Sequence, residues 1–185
     1  MTLEMEVKFR LENPDFVITK IKELGAIFVE ELTEKDDYYN APDRDFQQTD
    51  EVFRIRTYGN LNHFTYKGPN QKGNIKVREE LELKIEAEEN GYEKARKLLQ
   101  LLGYRHVAVV QKIRKVYDSM LEGFPIHFCV DQIDGLGSFL EIEIVTDSSK
   151  KEQAEEIILE LVRLLNLERA EKRSYLQMII EAEKG

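Results

Sequence analysis

The amino-acid sequence predicts an α+β protein with about eight strands, mostly antiparallel, and three or four amphipathic helices. The first observation is alternation, because apolar and charged residues take turns along stretches such as 3–12 and 75–85. The second is a helical apolar stripe, clearest over residues 148–168. The third is the short spacing between neighbouring strands, as at Gly59-Asn60, which is typical of antiparallel hairpins.

Eight strands and up to four helices follow one another along the chain. The predicted strands cover residues 3–12, 26–40, 51–58, 62–68, 75–85, 104–120, 125–133 and 139–146. The predicted helices cover residues 15–25, 88–103 and 148–168, with a short last helix within 168–185. Asn13 or Asp15 is expected to cap the first helix, and Ser148 or Ser149 the third. The stretches 40–51 and 69–74 are rich in turn formers and are predicted to be loops.

Composition limits the class of protein. The 185 residues fit a single domain over residues 1–185. The chain carries 27 Lys and Arg against 36 Asp and Glu, a net charge of −9, so binding to nucleic acid or to a membrane surface is not expected. Cys129 has no partner for an intrachain disulfide and is expected to be a small buried residue. The sequence shows no leader and no apolar run of about 18 residues, so the predicted location is the cytosol.

Each predicted strand has one apolar face and one charged face. The apolar stripes of the helices need a surface to pack on, and the apolar face of the sheet is the large candidate. The charged face then lies on the opposite side, which meets solvent in an open sheet and becomes a polar lumen in a closed barrel. Alternation does not separate these two cases.

Charges of like sign are paired along the charged face. Carboxylates form Glu-x-Glu pairs on three strands, and cations form Arg-x-Arg or Lys-x-Arg pairs on two. The pairs are Glu4 with Glu6, Glu80 with Glu82, Glu141 with Glu143, Arg54 with Arg56, and Lys112 with Arg114. A solvated strand face is the alternative interpretation for any one pair. Like charges side by side on a strand are destabilising unless something neutralises them, so the repeated pairing favours a bound ligand.

A metal-bridged polyphosphate would neutralise both kinds of pair. Mg²⁺ and Mn²⁺ prefer hard oxygen ligands such as carboxylates and fill the remaining positions with phosphate oxygens and water. Arginine offers forked donors that match phosphate, and lysine a point charge. The sequence contains no Gly-rich P-loop, so side chains would have to bind the phosphates.

These residues lie in motifs that resemble the CYTH superfamily, the triphosphate tunnel metalloenzymes. The signature Glu-x-Glu-x-Lys is matched by Glu4, Glu6 and Lys8. Further motifs follow in the family's order: DDYYN at 36–40, FRIR at 53–56, TYKGP at 65–69, REELE at 78–82, KIRKVY at 112–117, LGSFLEIEI at 136–144 and KRSYLQMI at 172–179. The likeness covers nearly the whole chain and looks most like the class IV adenylyl cyclase (CyaB) branch, which includes thiamine triphosphatase-like proteins. One departure is the stretch DEVFRIR at 50–56, where many relatives carry a small residue and Leu before the first Arg; Phe53 is expected to point away from the site.

The resemblance implies an eight-stranded antiparallel β-barrel that forms a tunnel, with the amphipathic helices packed outside and the charged face as the lumen. The implied phosphate-binding residues are Lys8, Arg54, Arg56, Lys67, Arg78, Lys112, Arg114 and Lys172, with Arg173 as an alternative to Lys172. The implied metal ligands are Glu4, Glu6, Glu80, Glu82, Asp131, Glu141 and Glu143, and the implied metal is Mg²⁺ or Mn²⁺. Lys8, Glu4 and Glu6 are the expected catalytic residues.

The function that the resemblance implies is a metal-dependent reaction of a triphosphate. The leading hypothesis is conversion of ATP to cyclic AMP and pyrophosphate. The alternative is hydrolysis of tripolyphosphate, thiamine triphosphate or a nucleoside triphosphate, and a non-catalytic polyphosphate-binding module is a third. Relatives of the cyclase type also imply a homodimer. Tyr38 and Tyr39 are either base-stacking residues or ordinary packing residues.

Overall fold

The structure, a computed structural model, describes residues 2–71, 73 and 75–183, so the loop predicted at 69–74 lies partly outside the described residues. Nine strands occur among the described residues, in chain order. They are β1 (Thr2–Leu11), β2 (Ile27–Asn40), β3 (Val52–Tyr58), β4 (Leu61–Lys67), β5 (Lys76–Arg78), β6 (Glu80–Ile85), β7 (Arg105–Leu121), β8 (Phe124–Ile133) and β9 (Gly137–Asp147).

The helices lie close to where the apolar periodicity predicts them. They are α1 (Pro14–Glu23), α2 (Phe46–Thr49), α3 (Glu88–Leu101), α4 (Lys151–Leu164) and α5 (Tyr175–Ala182). Asn13 caps α1 by accepting a hydrogen bond from the Phe16 backbone. The expectation of a serine cap before α4 is wrong, because Asp147 caps a 3₁₀ turn over Ser148–Lys150 that leads into the helix. The short helix α2 lies in a stretch that was predicted to be a loop.

The prediction of eight strands is wrong by one, because the stretch predicted as a single strand over residues 75–85 divides at Glu79. On one side of Glu79, β5 pairs with β1, and on the other side β6 pairs with β4. The alternation of apolar and charged residues runs through the break without interruption. Periodicity therefore gives no sign that the chain changes its strand partner at this residue.

The chain divides into two compact units. Unit 1 comprises Met1–Glu31, Gln71–Arg78 and Ile113–Lys172, and unit 2 comprises Leu32–Asn70, Glu79–Lys112 and Arg173–Gly185. The prediction of one domain over residues 1–185 stays a prediction. No helix among the described residues is long and apolar enough to cross a membrane.

In unit 1 the strand order is β5-β1-β9-β8-β7, and all the pairings given for it are antiparallel. Helix α4 packs on β1 and β9, and α1 packs on β8 and β9. Met5, Ile142 and Ile158 are fully buried in the core between these helices and the sheet. The residues that alternate with this core carry their side chains on the opposite, charged face of the sheet.

In unit 2 the strand order is β7-β2-β3-β4-β6. Helix α3 packs on β3, β4 and β6. The core between them contains Tyr39, Ile55, Tyr92 and Leu99. Phe53 packs against this cluster and stacks on Phe64, so it lies on the face opposite Arg54 as expected.

Candidate functional site

A group of three carboxylates on the charged face of unit 1 is the first candidate site. Glu6 of β1 stands opposite Glu143 of β9 in the strand register, and Glu4 lies two residues before Glu6 on β1. One carboxylate oxygen from each of Glu4, Glu6 and Glu143 lies within 4.8 Å of the others. Together they form a ready-made set of hard oxygen ligands for a divalent cation.

Two cations lie among the carboxylates of this face. The guanidinium of Arg114 donates two hydrogen bonds of 2.7 Å to Asp131, one from Nε and one from Nη2, and also pairs with Glu141. The ammonium of Lys8 lies 3.4 Å from Glu141 and is 3% exposed. Asp131 and Glu141, both predicted metal ligands, thus make ion pairs with cations in this structure.

Burial and charge perturb the titration of this face. Burial raises the pKa of Glu143 to about 8; Arg114 opposes this, and the neighbouring carboxylates Glu4 and Glu141 add to it. Burial lowers the pKa of Lys8, against the attraction of Glu141. Glu143 therefore retains a proton near neutral pH, mainly because it is buried, and a bound cation would displace that proton.

A buried ion-pair cluster on β2 and β3 is a second candidate site and lies in unit 2. Asp36 accepts hydrogen bonds from Arg56 Nε at 2.7 Å and Arg56 Nη2 at 2.9 Å, and from Arg54 Nη1 at 3.1 Å. Burial disfavours the charged form of Asp36, but the two arginines outweigh this and hold its pKa below its usual value. Asp36 thereby holds together the two positive charges of Arg54 and Arg56, which lie two residues apart on one face of β3.

Lys112 extends this cluster onto β7. Its ammonium lies 2.9 Å from Oε2 of Glu34, which also lies 3.1 Å from Nη2 of Arg56. The same ammonium lies 5.4 Å from the centre of the Tyr175 ring at the start of α5. Lys112 is 3% exposed, so its charge is compensated within the protein instead of by bulk water.

Lys67 is another predicted phosphate-binding residue of unit 2. Its ammonium lies 3.1 Å from Oε2 of Glu80. Glu82 is exposed and accepts a hydrogen bond of 3.1 Å from Thr65. The two predicted metal ligands Glu80 and Glu82 thus contact Lys67 and Thr65, respectively, within unit 2.

Three other predicted basic residues lie in less enclosed positions. Arg78 stands opposite Glu4 in the register of β5 and β1 and is half-buried. Lys172 is exposed, and the exposed Arg173 forms an ion pair of 2.8 Å with Glu181. The contact from the Glu171 backbone amide to the Lys8 carbonyl, 2.7 Å, holds the chain just before Lys172 beside β1.

Sequence reasoning missed Glu34 and Asp36 as site residues. The signal was present, since Glu34, Asp36 and Tyr38 alternate along β2 in the same way as the Glu-x-Glu pairs. Tyr38 accepts a hydrogen bond of 3.2 Å from Arg54, whereas Tyr39 donates to Asp37 in the apolar core under α3. Cys129 is buried and free as expected, but it stands opposite Glu141 on the charged face, and burial raises the pKa of its thiol well above the usual value.

The chain matches the model of the CYTH domain over residues 2–175, so it belongs to the CYTH family. It is 35% identical over 179 residues to a protein of Methanocaldococcus jannaschii with the name "Putative adenylate cyclase MJ0240", covering 95% of this chain and 98% of that protein. It is 28% identical over 148 residues to adenylate cyclase CyaB of Aeromonas hydrophila, covering 78% of this chain and 70% of that protein.

Solved structures show the same fold. The PH1819 protein of Pyrococcus horikoshii superposes with a TM-score of 0.83 at 34% identity, covering 96% of this chain and 98% of that one. The "putative adenylyl cyclase HpAC1" of Hippeastrum, a protein with a dominant triphosphatase activity, superposes with a TM-score of 0.67 at 13% identity, covering 98% of this chain and 96% of that one. The predicted fold class, the antiparallel α+β fold of the CYTH family, is confirmed.

Proposed function

We propose that this protein is a metal-dependent enzyme that acts on a triphosphate, and that its leading reaction converts ATP to cyclic AMP and pyrophosphate. The observation that carries the proposal is the convergence of carboxylate oxygens from Glu4, Glu6 and Glu143 within 4.8 Å of one another. Enclosed cations on β1, β3 and β7 support it, because a triphosphate needs several positive partners. The adenylate cyclase names of the two relatives support the choice of reaction.

The carboxylate group fits Mg²⁺ or Mn²⁺. Its donors are hard oxygens, and burial, with the neighbouring carboxylates adding to it, raises the pKa of Glu143, so that a bound cation would favour its charged form. In the proposal Glu4, Glu6 and Glu143 hold the cation, with Asp131, Glu141, Glu80 and Glu82 as further candidate ligands. When bound, the cation would neutralise charge that develops on phosphate oxygens during the reaction.

The basic residues bind and orient the triphosphate in this proposal. Arg54 and Arg56 supply forked donors, and Lys8, Lys67 and Lys112 supply point charges. Arg78, Arg114 and Lys172 are the other proposed phosphate-binding residues. Because Asp36 and Glu34 already compensate several of these cations, phosphate binding exchanges or shares existing ion pairs.

The position of the attacking oxygen decides between two reactions. In the cyclase reaction the ribose 3′-oxygen passes its proton to solvent water and attacks the α-phosphorus, the bond from that phosphorus to the bridging oxygen breaks, and pyrophosphate leaves. In the second candidate reaction, hydrolysis, water attacks the terminal phosphorus, the bond from that phosphorus to the bridging oxygen breaks, and the diphosphate part of the substrate leaves. The attacked phosphorus and the water oxygen end up in orthophosphate. The reported triphosphatase activity of the Hippeastrum protein favours keeping this second candidate, although its likeness shows the fold alone.

The test is product analysis by phosphorus NMR. The protein is incubated with ATP, tripolyphosphate or thiamine triphosphate, each with Mg²⁺ or Mn²⁺. Cyclic AMP with pyrophosphate is the expected result, orthophosphate would establish the triphosphatase instead, and binding without turnover would overturn both. The homodimer and the cytosolic location stay predictions.

A further inference from the structure

We infer that the stacked side chains of Tyr58 and His63 form the binding surface for the base of a nucleoside triphosphate. This inference rests on the proposed function and adds the organic part of the substrate to it. The two rings lie 5.3 Å apart between centres and are 3° from parallel. They lie on neighbouring strands near the β3–β4 turn in unit 2.

Strand geometry places these rings on the charged face. Tyr58 lies two residues after Arg56 on β3, so their side chains point to the same side of the sheet. His63 stands directly opposite Arg56 in the register of β3 and β4. One step of two residues advances about 6.6 Å along a strand, so the ring pair directly follows the proposed phosphate-binding arginines.

Ordinary core packing does not account for the pair. The apolar core of this hairpin lies on its other face, where Phe53 and Phe64 pack with Ile55 under α3. Tyr58 and His63 are instead an aromatic pair on the face that also carries Arg54 and Arg56. Aromatic ring faces beside basic residues are a surface on which nucleic bases stack.

An unsatisfied polar atom supports a ligand at this place. His63 is 8% exposed, and within the described part of the chain its buried Nδ1 has no hydrogen-bond partner. The buried Nε of Arg54, on the same face of the hairpin, also has no hydrogen-bond partner within the described part of the chain. Buried polar groups are nearly always hydrogen-bonded, so these two atoms suit a ligand with polar groups at both positions. A base joined to a triphosphate has ring nitrogens at one end and phosphate oxygens at the other.

The test separates binding of the base from binding of the phosphates. Dissociation constants are measured by calorimetry with Mn²⁺ for a nonhydrolysable ATP analogue, tripolyphosphate and thiamine triphosphate. Tyr58→Leu is expected to raise the dissociation constant of the ATP analogue by about tenfold or more. The dissociation constant of tripolyphosphate should stay within about twofold of the wild-type value. His63→Phe keeps a ring but removes the nitrogens, and is expected to weaken the ATP analogue by about fivefold. Phe64→Leu, on the opposite face of β4, is the matched control. It is expected to leave the ratios between the dissociation constants of the three probes unchanged.

The other outcomes overturn the inference. If Tyr58→Leu leaves the dissociation constants of the ATP analogue and tripolyphosphate unchanged, or raises both equally, the ring does not bind the base. If it weakens thiamine triphosphate as strongly as the ATP analogue, the pair is not a site for nucleic bases. If the wild-type protein binds neither tripolyphosphate nor the ATP analogue, the proposed function itself fails; if it binds tripolyphosphate, only the inference about the base is at risk.

Discussion

Glu143 shows how a strand register turns an ordinary side chain into part of a candidate metal centre. Its neighbours in the register are Glu6 on β1 and His127 on β8, and Arg114 Nη1 lies 3.6 Å from its carboxylate. Burial, more than any one neighbour, raises its pKa to about 8 against an ordinary value of 4.5. The folded metal-free protein therefore binds a proton here that the unfolded chain releases above about pH 4.5.

This proton predicts a pH dependence of stability. Between about pH 5 and pH 8 the folded state binds more protons at Glu143 than the unfolded state does, so the unfolding free energy of the metal-free protein should fall as the pH rises. Urea unfolding at several pH values measures the slope, and Glu143→Gln should make it shallower. An identical slope in the variant would show that Glu143 is ionised in the folded protein.

The carboxylates of β1 are predicted to be essential for turnover and dispensable for folding. Glu6→Gln keeps the size of the side chain and removes the charge that would hold the cation, so activity should fall by about 100-fold or more. Steady-state rates and circular dichroism are the measurements. Glu12→Gln, at an exposed position just beyond the same strand, is the control and should keep full activity. Full activity in both Glu4→Gln and Glu6→Gln would remove the proposed metal site.

Asp36 is predicted to be required for the stability of the buried ion-pair cluster on β2 and β3. Asp36→Asn leaves Arg54 and Arg56 without their shared buried anion, and removing one partner of a buried ion pair costs about 3 kcal/mol or more of unfolding free energy. Denaturant unfolding measures this. Asp43→Asn breaks an exposed pair with Arg44 and should change stability by less than about 1 kcal/mol. A stable Asp36→Asn protein would show that the arginines do not depend on this carboxylate.

At the scale of elements, the tight entry into α3 fixes the position of this helix over the sheet of unit 2. Gly91 lies in the first turns of the helix, close to the backbone that leads in from β6. A Cβ atom at this residue would come within 1.8 Å of the backbone oxygen of Glu86. Glycine is required here by close approach of the backbone.

Gly91→Ala is therefore predicted to destabilise the protein, although alanine is ordinarily the better helix residue. The clash is with backbone and is not relieved by a rotamer change, so the unfolding free energy should fall by about 2 kcal/mol or more. Thermal or denaturant unfolding measures the loss. Gly68→Ala is the matched control, since its Cβ would meet the Glu79 oxygen at an ordinary 3.8 Å. Equal stability of the two variants would contradict this account of α3.

Helices and strands were predictable from the sequence where they depend only on residues a few positions apart. The capping box of α5, formed by Ser174 and Gln177, and the apolar stripes of α3 and α4 depend on neighbours within a few residues. The break at Glu79 was not predictable, because it reflects which strand lies beside the chain, and the local alternation is the same on both sides.

At the scale of the whole molecule, the proposed function requires a protein of net charge −9 to bind an anion. The long-range field opposes a triphosphate, so local cations and a divalent metal must overcome it. Metal and triphosphate are therefore expected to bind better together than separately, because each lowers the electrostatic cost of the other.

This coupling predicts a concentration-dependent rise in thermal stability. A ligand that binds the folded state at 100 times its dissociation constant adds about 2.7 kcal/mol to the unfolding free energy. Mn²⁺ and tripolyphosphate together should raise the melting temperature by more than the sum of their separate shifts, measured by calorimetry. Glu4→Gln should lose this excess and Glu12→Gln should retain it. Strictly additive shifts in the wild-type protein would show that the two ligands do not share a site.

The sequence by itself determined the alternating strands, the amphipathic helices and the charge carried at each position, because these depend on side-chain chemistry and on spacings of two to four residues. It also identified the carboxylates Glu4, Glu6 and Glu143 as candidates. Tertiary structure decided which charges meet: Asp36 between Arg54 and Arg56, Glu141 between Lys8 and Arg114, and His63 stacked on Tyr58. The physical reason is that ion pairs and stacking act over a few ångströms between residues that are distant in the chain, and strand register brings them together.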